Sequence, residues 1–546
     1  MDAKRLTMFF AIALLILLGW EQLFPTPKQP QAVVQQQQQQ QQKAPSTELT
    51  LAPAQPITVT TDTVKAVIDE KSGDLRGLTL LKYNAAGNEK QDFVLFSDNK
   101  ENTYIAQSDL QDESGQSLLK GLAFTAAQKQ YTLNGDKAEV RLSAPARDGL
   151  QIDKVYTFKK DSYLVDVRFD VTNLSGKPLK AHAVYKVVRD NKAPEGSGFF
   201  THTYTGPVVY TPQGEFEKVD FGDLDDDFNS GTDKAEYVRR TNTGWVGMIQ
   251  HYFMATWILQ PKDGATVCTA GCQIDVKRRN DNLYSAGVAV NLPEMQNGMK
   301  YSFPMSLYAG PQTTATIRNI ADKLELVKDY GRVYYPATGL FWLLEKLHGL
   351  VGNWGWAIVL LTVIVKAALY PLTNASYRSM AKMRAVAPKL EALKQKYGDD
   401  RMALQQAMMQ MYRDEKINPL GGCLPMLLQI PVFIGLYWAV FASVELRQAP
   451  WIGWITDLSR TDPYFILPLL MAATMWFQTT LNPPPTDPMQ AKMMKMMPII
   501  FSVMFFFFPS GLVLYWVVNN ILSIAQQWYI NKSIEQQRAQ GEVLDK

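Results

Sequence analysis

Catalytic hardware is scarce in this chain. Its 546 residues include only four histidines and three cysteines. His182, His202, His251 and His348 are scattered, without the spacing that metal ligation needs. No nucleophile motif and no phosphate-cradling glycine loop stands out, so covalent or nucleotide chemistry is not indicated. Carboxylate pairing of the glycosidase kind is a three-dimensional matter that spacing does not decide. A large excess of either charge is also missing: a net charge of +3 is too small for a nucleic-acid binder. The acidic run Asp223-Leu-Asp-Asp-Asp-Phe-Asn fails the calcium-loop pattern, because Phe228 stands where the turn glycine belongs and Lys234 where the bidentate Glu belongs. It reads as a solvated acidic loop. No metal and no cofactor is expected.

What the chain does have is apolar runs of membrane length, set apart by polar tracts. Lys4 and Arg5 precede an apolar run from Leu6 to Trp20, and Glu21, Gln22, Leu23 and Phe24 follow in place of a small-residue cleavage site. Residues 1–24 therefore read as an uncleaved anchor with its N-terminus in the cytoplasm. Residues 25–56, with unbroken glutamine from Gln35 to Gln42, cannot bury a core and read as a flexible linker.

From residue 57 the period is two. Val165, Val167, Phe169 and Val171 alternate with Asp166, Arg168 and Asp170, which predicts a strand with one wet face. Asn134-Gly135 and Ser175-Gly176 are turn signals between such runs. A large antiparallel β-sandwich is expected over residues 57–330, outside the cytoplasm, with a helix over Thr313–Tyr330 leading out of it. Cys268 and Cys272 lie in this part; a disulfide between them and two buried thiols both fit.

The membrane half starts with an amphipathic stretch, residues 331–352, expected to lie flat in the outer interface. Residues 353–373 read as a span carrying one cation, Lys366. About 9 Å of helix separates that lysine from the cytoplasmic end, so it either snorkels there or faces a hydrated groove. Residues 374–419 hold nine Lys or Arg against five acids, which places them in the cytoplasm. Met383, Val386, Leu390, Leu393 and Tyr397 follow a coiled-coil spacing, Pro388 should kink that helix, Gly398 stops it, and Asp399 or Asp400 starts the next. This predicts a helical hairpin whose methionines (Met380, Met383, Met408, Met409, Met411) suit an adaptable capture surface. Further spans are expected at 420–443, 464–481, 496–508 and 512–529, with a cytoplasmic tail at 530–546; Trp451 and Trp454 between two of them suit an interface. The 496–508 span, at about 20 Å, is short for a hydrocarbon layer of about 30 Å, so the bilayer beside it should thin. Thr362 and Lys366 share a helix face, and Gln429, Asn519 and Asn520 add polar groups in other spans. One hydrated cavity would satisfy them together; helix-to-helix hydrogen bonds would satisfy them in pairs.

The stretches GNWGWAIVLLTVIVKAALYPLT, NPLGGCLPMLLQIPVF, SVELRQAPW, DPYFILPLLM and FPSGLVLYWVVNN resemble the YidC/Oxa/Alb membrane insertases, in their Gram-negative form over essentially the whole chain. The resemblance implies a five-helix bundle with a polar groove open to the cytoplasm and lipid, an N-terminal anchor helix, and a large periplasmic all-β supersandwich domain. It implies a non-enzymatic function, the insertion and folding of nascent membrane proteins in the inner membrane. The implied partners are the Sec translocon, the ribosome and the signal-recognition pathway, besides the phospholipid bilayer. It places Lys366 at the groove cation, Thr362 at a groove polar position, and Tyr515-Trp516 at an aromatic pair. Two departures stand out: lysine here where the family usually has arginine, and tryptophan where the second aromatic is often tyrosine. Lysine is a point charge without arginine's fork. Two other readings make different predictions. A secondary transporter would show inverted repeats, which the core spans lack. A membrane-tethered sugar-active enzyme would lose all activity with its β domain.

Overall fold

The computed structural model describes residues 56–481, apart from 86–87, 100, 195–202, 235, 263, 329, 399 and 416–423, and then 496 and 502–539. The expected anchor, nearly all of the linker, and residues 497–501 of the 496–508 span fall outside the described residues. The chain divides into two compact units, Pro27–Asp329 and Tyr330–Lys546 with Met1–Thr26.

The first unit is all-β, with a ten-stranded and a nine-stranded sheet. Strand Leu164–Asn173 shows why. Val165, Val167, Phe169 and Val171 are buried, and the strand pairs antiparallel with Leu150–Lys159 on one side and Lys300–Pro311 on the other. Its wet face carries charges in register: Arg141 donates to Asp153 at 2.8 Å and to Asp170 at 3.1 Å. Burial pushes the Asp170 carboxyl up, but hydrogen bonds from Ser302, Arg168 and Arg141 outweigh it and hold the group below the usual carboxylate range. The dry face meets the other sheet through aromatic rings, with Tyr185 5.0 Å from Trp257 and 6.1 Å from Phe169, centroid to centroid. Gly135 and Gly176 sit at φ 81°, the left-handed backbone their turns need.

Lys154 lies in the same dry layer, with no exposed side-chain surface. Its ammonium is 3.7 Å from Asp74 and donates to the Ser108 carbonyl at 3.2 Å. Burial pushes this lysine down and Asp74 up, and each charge partly opposes the shift of the other.

Two expectations for this unit are corrected. Asp223–Phe228 is not a loop but part of helix α1, Phe221–Ser230. Asp223 stands in its first turn, where the helix dipole favours an anion, and Gly231 at φ 65° ends it. Its carboxylates serve the fold: Asp225 accepts from Tyr284 at 2.7 Å and pairs with Arg278 at 3.0 Å. Among the described residues no group of three potential ligands is placed to hold a metal ion. The helix expected over Thr313–Tyr330 is only the turn α2, Thr314–Ile317, and a 3-10 turn, Leu324–Val327. Ile317, Ala321, Leu324 and Val327 are buried in a cluster with Trp245, so tertiary packing decides the backbone here. Cys268 and Cys272 are joined by a disulfide at the start of strand Cys272–Arg278.

The second unit is helical. Helix α3, Tyr334–Val351, buries Ala337, Phe341, Leu344 and Leu347, keeps Tyr335 and Trp342 exposed, and ends at Gly352. Asn353 caps α4, Trp354–Ala368, by accepting from the Trp356 amide at 3.1 Å. The single span expected over 353–373 is broken. α4 stops at Ala368, α5 runs Tyr370–Ala385, and the two are bent by 68°. Pro371 explains the break: it fits the first turn of a new helix, whereas in a continuous one it would lose a hydrogen bond and clash with the carbonyl four residues back. Together this pair has the length and composition of a span; among the described residues no single helix does.

Val386 separates α5 from α6, Ala387–Tyr397, with Pro388 in the first turn, so the expected kink is a full break. Gly398 closes α6, and Asp400 caps α7, Arg401–Asp414, accepting from Ala403. Lys389 and Glu415 pair across this hairpin. α8 runs Leu424–Phe441 with Pro431 inside it, and α9 runs Ile466–Leu481. α10 runs Ser510–Ala539, so the expected tail at 530–546 is helical through residue 539. The segment between α8 and α9 is folded, not a loose loop. Asn353 donates to the carbonyls of Pro450 and Trp451, and Asp462 accepts from the Trp454 indole at 2.9 Å and the Leu467 amide at 2.7 Å. Trp451 and Trp454 therefore pack on the helical core.

Candidate functional site

The site is built on α4, α5 and α10. Lys366 is half-buried near the end of α4, and its ammonium reaches across to α10, donating to Ser523 Oγ at 2.7 Å. Ser523 in turn donates to the Asn519 carbonyl at 2.7 Å, four residues back on its own helix. The Tyr377 hydroxyl of α5 also reaches Ser523. One turn further on, Gln526 of α10 donates to Thr373 Oγ1 of α5 at 3.0 Å. The cation is thus held by one hydroxyl, with a second polar contact between α5 and α10 one turn further on. Among the described residues no carboxylate pairs with it.

The other expected groove residues divide among separate contacts. Thr362 is buried and donates its proton to its own helix at the Ile358 carbonyl, 2.7 Å away. Asn520 faces α9, at 3.4 Å from Thr474 Oγ1. Adjacent positions on a helix point about 100° apart, so Asn519 and Asn520 line different faces. Gln429 of α8 lies within reach of the Tyr515 hydroxyl. Trp516 packs against Phe433, at 4.9 Å between centroids, and Phe505, with its indole nitrogen buried. Six of the seven residues divide among three polar contacts and an aromatic one around α10, and Thr362 bonds within α4, so they do not form one ring.

The methionines also separate. Met408, Met409 and Met411 lie on α7, where Met409 is exposed. Met380 and Met383 lie on α5, and Met380 packs against Tyr377, Ala381, Ile530 and Ile534. Those two are outside the hairpin because the chain breaks at Val386.

Ser523, Tyr377, Thr373 and Gln526 were not anticipated from sequence. A signal for the serine was available: Asn519, Ser523 and Gln527 recur every four residues, one stripe along a helix. Serine is common enough in helices that the stripe reads as background.

Comparison with known proteins bears on both units. The family pattern described as 60Kd inner membrane protein matches residues 346–537, and the YidC periplasmic domain matches residues 56–343. A membrane protein insertase YidC of Neisseria meningitidis serogroup C is 70% identical over 545 residues, covering 100% of both chains. A membrane protein insertase YidC of Laribacter hongkongensis is 53% identical over 553 residues, covering 99% of this chain and 100% of that one. A solved structure, an active YidC insertase with its first transmembrane domain resolved, aligns at 20% identity and a TM-score of 0.40 over 88% of this chain and 93% of that one.

Proposed function

We propose a mechanism from one premise: this chain belongs to the YidC family, and is an inner-membrane protein insertase with a periplasmic all-β domain, not an enzyme. Its core is a bundle of five spans, the first on the bent pair α4–α5 and the others at 420–443, 464–481, 496–508 and 512–529, with residues 1–24 as anchor and both termini in the cytoplasm. The basic short segments fall on one side in this arrangement, which supports it. The hairpin α6–α7 gives client segments a first cytoplasmic contact, on Met408, Met409 and Met411. Family membership supports delivery by ribosomes or the signal-recognition pathway, and work beside the Sec translocon.

The observation that carries the mechanism is the setting of Lys366: a half-buried cation held by a hydroxyl, with no carboxylate partner among the described residues. Such a cation attracts a carboxylate on an incoming tail. The polar residues beside it reduce the cost of taking that tail part-way into the bilayer, where a charge costs about 2.5–3.5 kcal/mol on insertion scales. About 20 apolar residues moving into lipid return roughly 0.3–0.6 kcal/mol each, or about 6–12 kcal/mol in all. The apolar segment therefore drives insertion, and the groove lowers the barrier for what precedes it.

The test is insertion of a single-span protein with an acidic N-terminal tail into proteoliposomes holding only this protein, scored by protease protection of the tail. Wild type and Lys366→Arg should insert it, and Lys366→Ala should lose most of the activity. Equal insertion by all three would remove the electrostatic step.

A further inference from the structure

We propose that Ser523 is the positioning residue for the groove cation: its hydroxyl turns a flexible lysine into a directed charge, and so sets the preference for carboxylate-bearing tails. This rests on the reading of Lys366 given above.

The hydrogen-bond polarity carries the argument. A serine hydroxyl has one proton and two lone pairs. Its proton is committed to the Asn519 carbonyl at 2.7 Å, so towards Lys366, also at 2.7 Å, the oxygen acts only as an acceptor. Ser523 is 2% exposed, so water does not compete freely for that oxygen. It occupies one of the ammonium's three protons, and the remaining protons are left to a client carboxylate. A long lysine stem otherwise keeps its rotamer freedom and can carry the charge away along its own helix. A hydrogen bond to a charged donor is strong enough to offset that freedom. An acidic residue in place of Ser523 would fix the lysine equally well, but would also neutralise it. A neutral acceptor fixes the position and keeps the charge available.

The experiment compares two single-span clients in proteoliposomes, one with an acidic tail and one with the same tail carrying Asn and Gln in place of its acids. Ser523→Ala should lower the acidic-to-neutral insertion ratio about tenfold, near the lower end of what a hydrogen bond to a charged group contributes. Neutral-tail insertion should fall less than acidic-tail insertion, and Ser523→Thr should restore the ratio. Ser523→Cys keeps the volume but offers a weak acceptor, so it should behave like the alanine form and serves if that one does not accumulate. In a Lys366→Ala background, neither change should have any further effect on the ratio. A ratio unmoved by Ser523→Ala or Ser523→Cys overturns the proposal. So does an equal loss for both clients, which marks a purely structural role. If wild type itself shows no preference between the tails, the failure lies with the Lys366 reading, and the positioning role falls with it.

Discussion

Each unit takes a lysine out of water, and the two do it in opposite ways. In the β unit Lys154 is fully buried, faces Asp74 at 3.7 Å, and lies about 5.5 Å from the rings of Phe169 and Tyr156. Its charge is matched inside the fold. In the helical unit Lys366 is half-buried and meets a hydroxyl at 2.7 Å, with no carboxylate among the described residues. A matched cation holds two sheets together; an unmatched one, on the proposed mechanism, is kept for a partner that arrives later. The comparison also accounts for where each is found. Breaking a buried pair leaves an isolated charge in a dry layer, so losing either partner alone destabilises the fold. A groove cation with an internal carboxylate would have nothing left to offer a client.

The comparison can be broken at three points. The largest effect is expected at Lys154. Lys154→Ala takes the 3.7 Å counter-charge from buried Asp74, leaving it the Gln107 amide at 3.2 Å, and should cost the β unit about 3 kcal/mol, the low end for a broken buried pair. Hydrogen exchange over Leu150–Lys159 in the full-length protein would read this, with α4 and α10 unchanged. The double change Lys154→Met with Asp74→Leu should recover most of the loss. A mild effect of the single change would mean that the pair is not what joins the sheets.

Next in size is an attempt to make Lys366 resemble Lys154. Ser523→Asp supplies the missing carboxylate, so preference for acidic tails should drop about tenfold, equivalent to about 1.4 kcal/mol, although the lysine is still present. Retained preference in the insertion assay would show that a matched cation still works, and the contrast between the two lysines would lose its meaning.

The smallest effect concerns pH. Asp170 has its folded pKa depressed by Ser302, Arg168 and Arg141, against the opposing effect of burial. Its contribution to stability is therefore present above its unfolded pKa of about 3.9, and is lost as pH falls through the lower folded value. Hydrogen exchange of strand Leu164–Asn173 should accelerate in that acid window, and Asp170→Asn should flatten the pH dependence. An unchanged pH slope in the variant would assign the acid sensitivity to other carboxylates.

Local patterns made much of this legible in sequence. The wet and dry faces of Leu164–Asn173 follow from strict alternation, and Gly398 and Asp400 mark the hairpin turn because capping is decided by a few neighbouring residues. Even Lys154 left a trace. It shares parity with Ile152, Tyr156 and Phe158, all buried, so its strand places it on the dry side. Its partner Asp74 did not, because the two meet only when the sheets are stacked. Pro371 was visible but ambiguous, since a proline near a helix end either stops it or opens the next one. Asp223–Phe228 misled because acids favour loops and helix starts alike. Ser523 was missed for the same reason as Asp74: its role depends on a contact 157 positions away.

That separation also sets a schedule. At roughly 5–20 residues per second, a ribosome takes about 8–30 s to travel from Lys366 to Ser523. Throughout that interval the cation exists without the hydroxyl it donates to, and most of the helical unit is made before α10 can join it. The insertase is therefore, for that time, a client with an unplaced charge of its own, and α10 is the piece that turns it from cargo into apparatus.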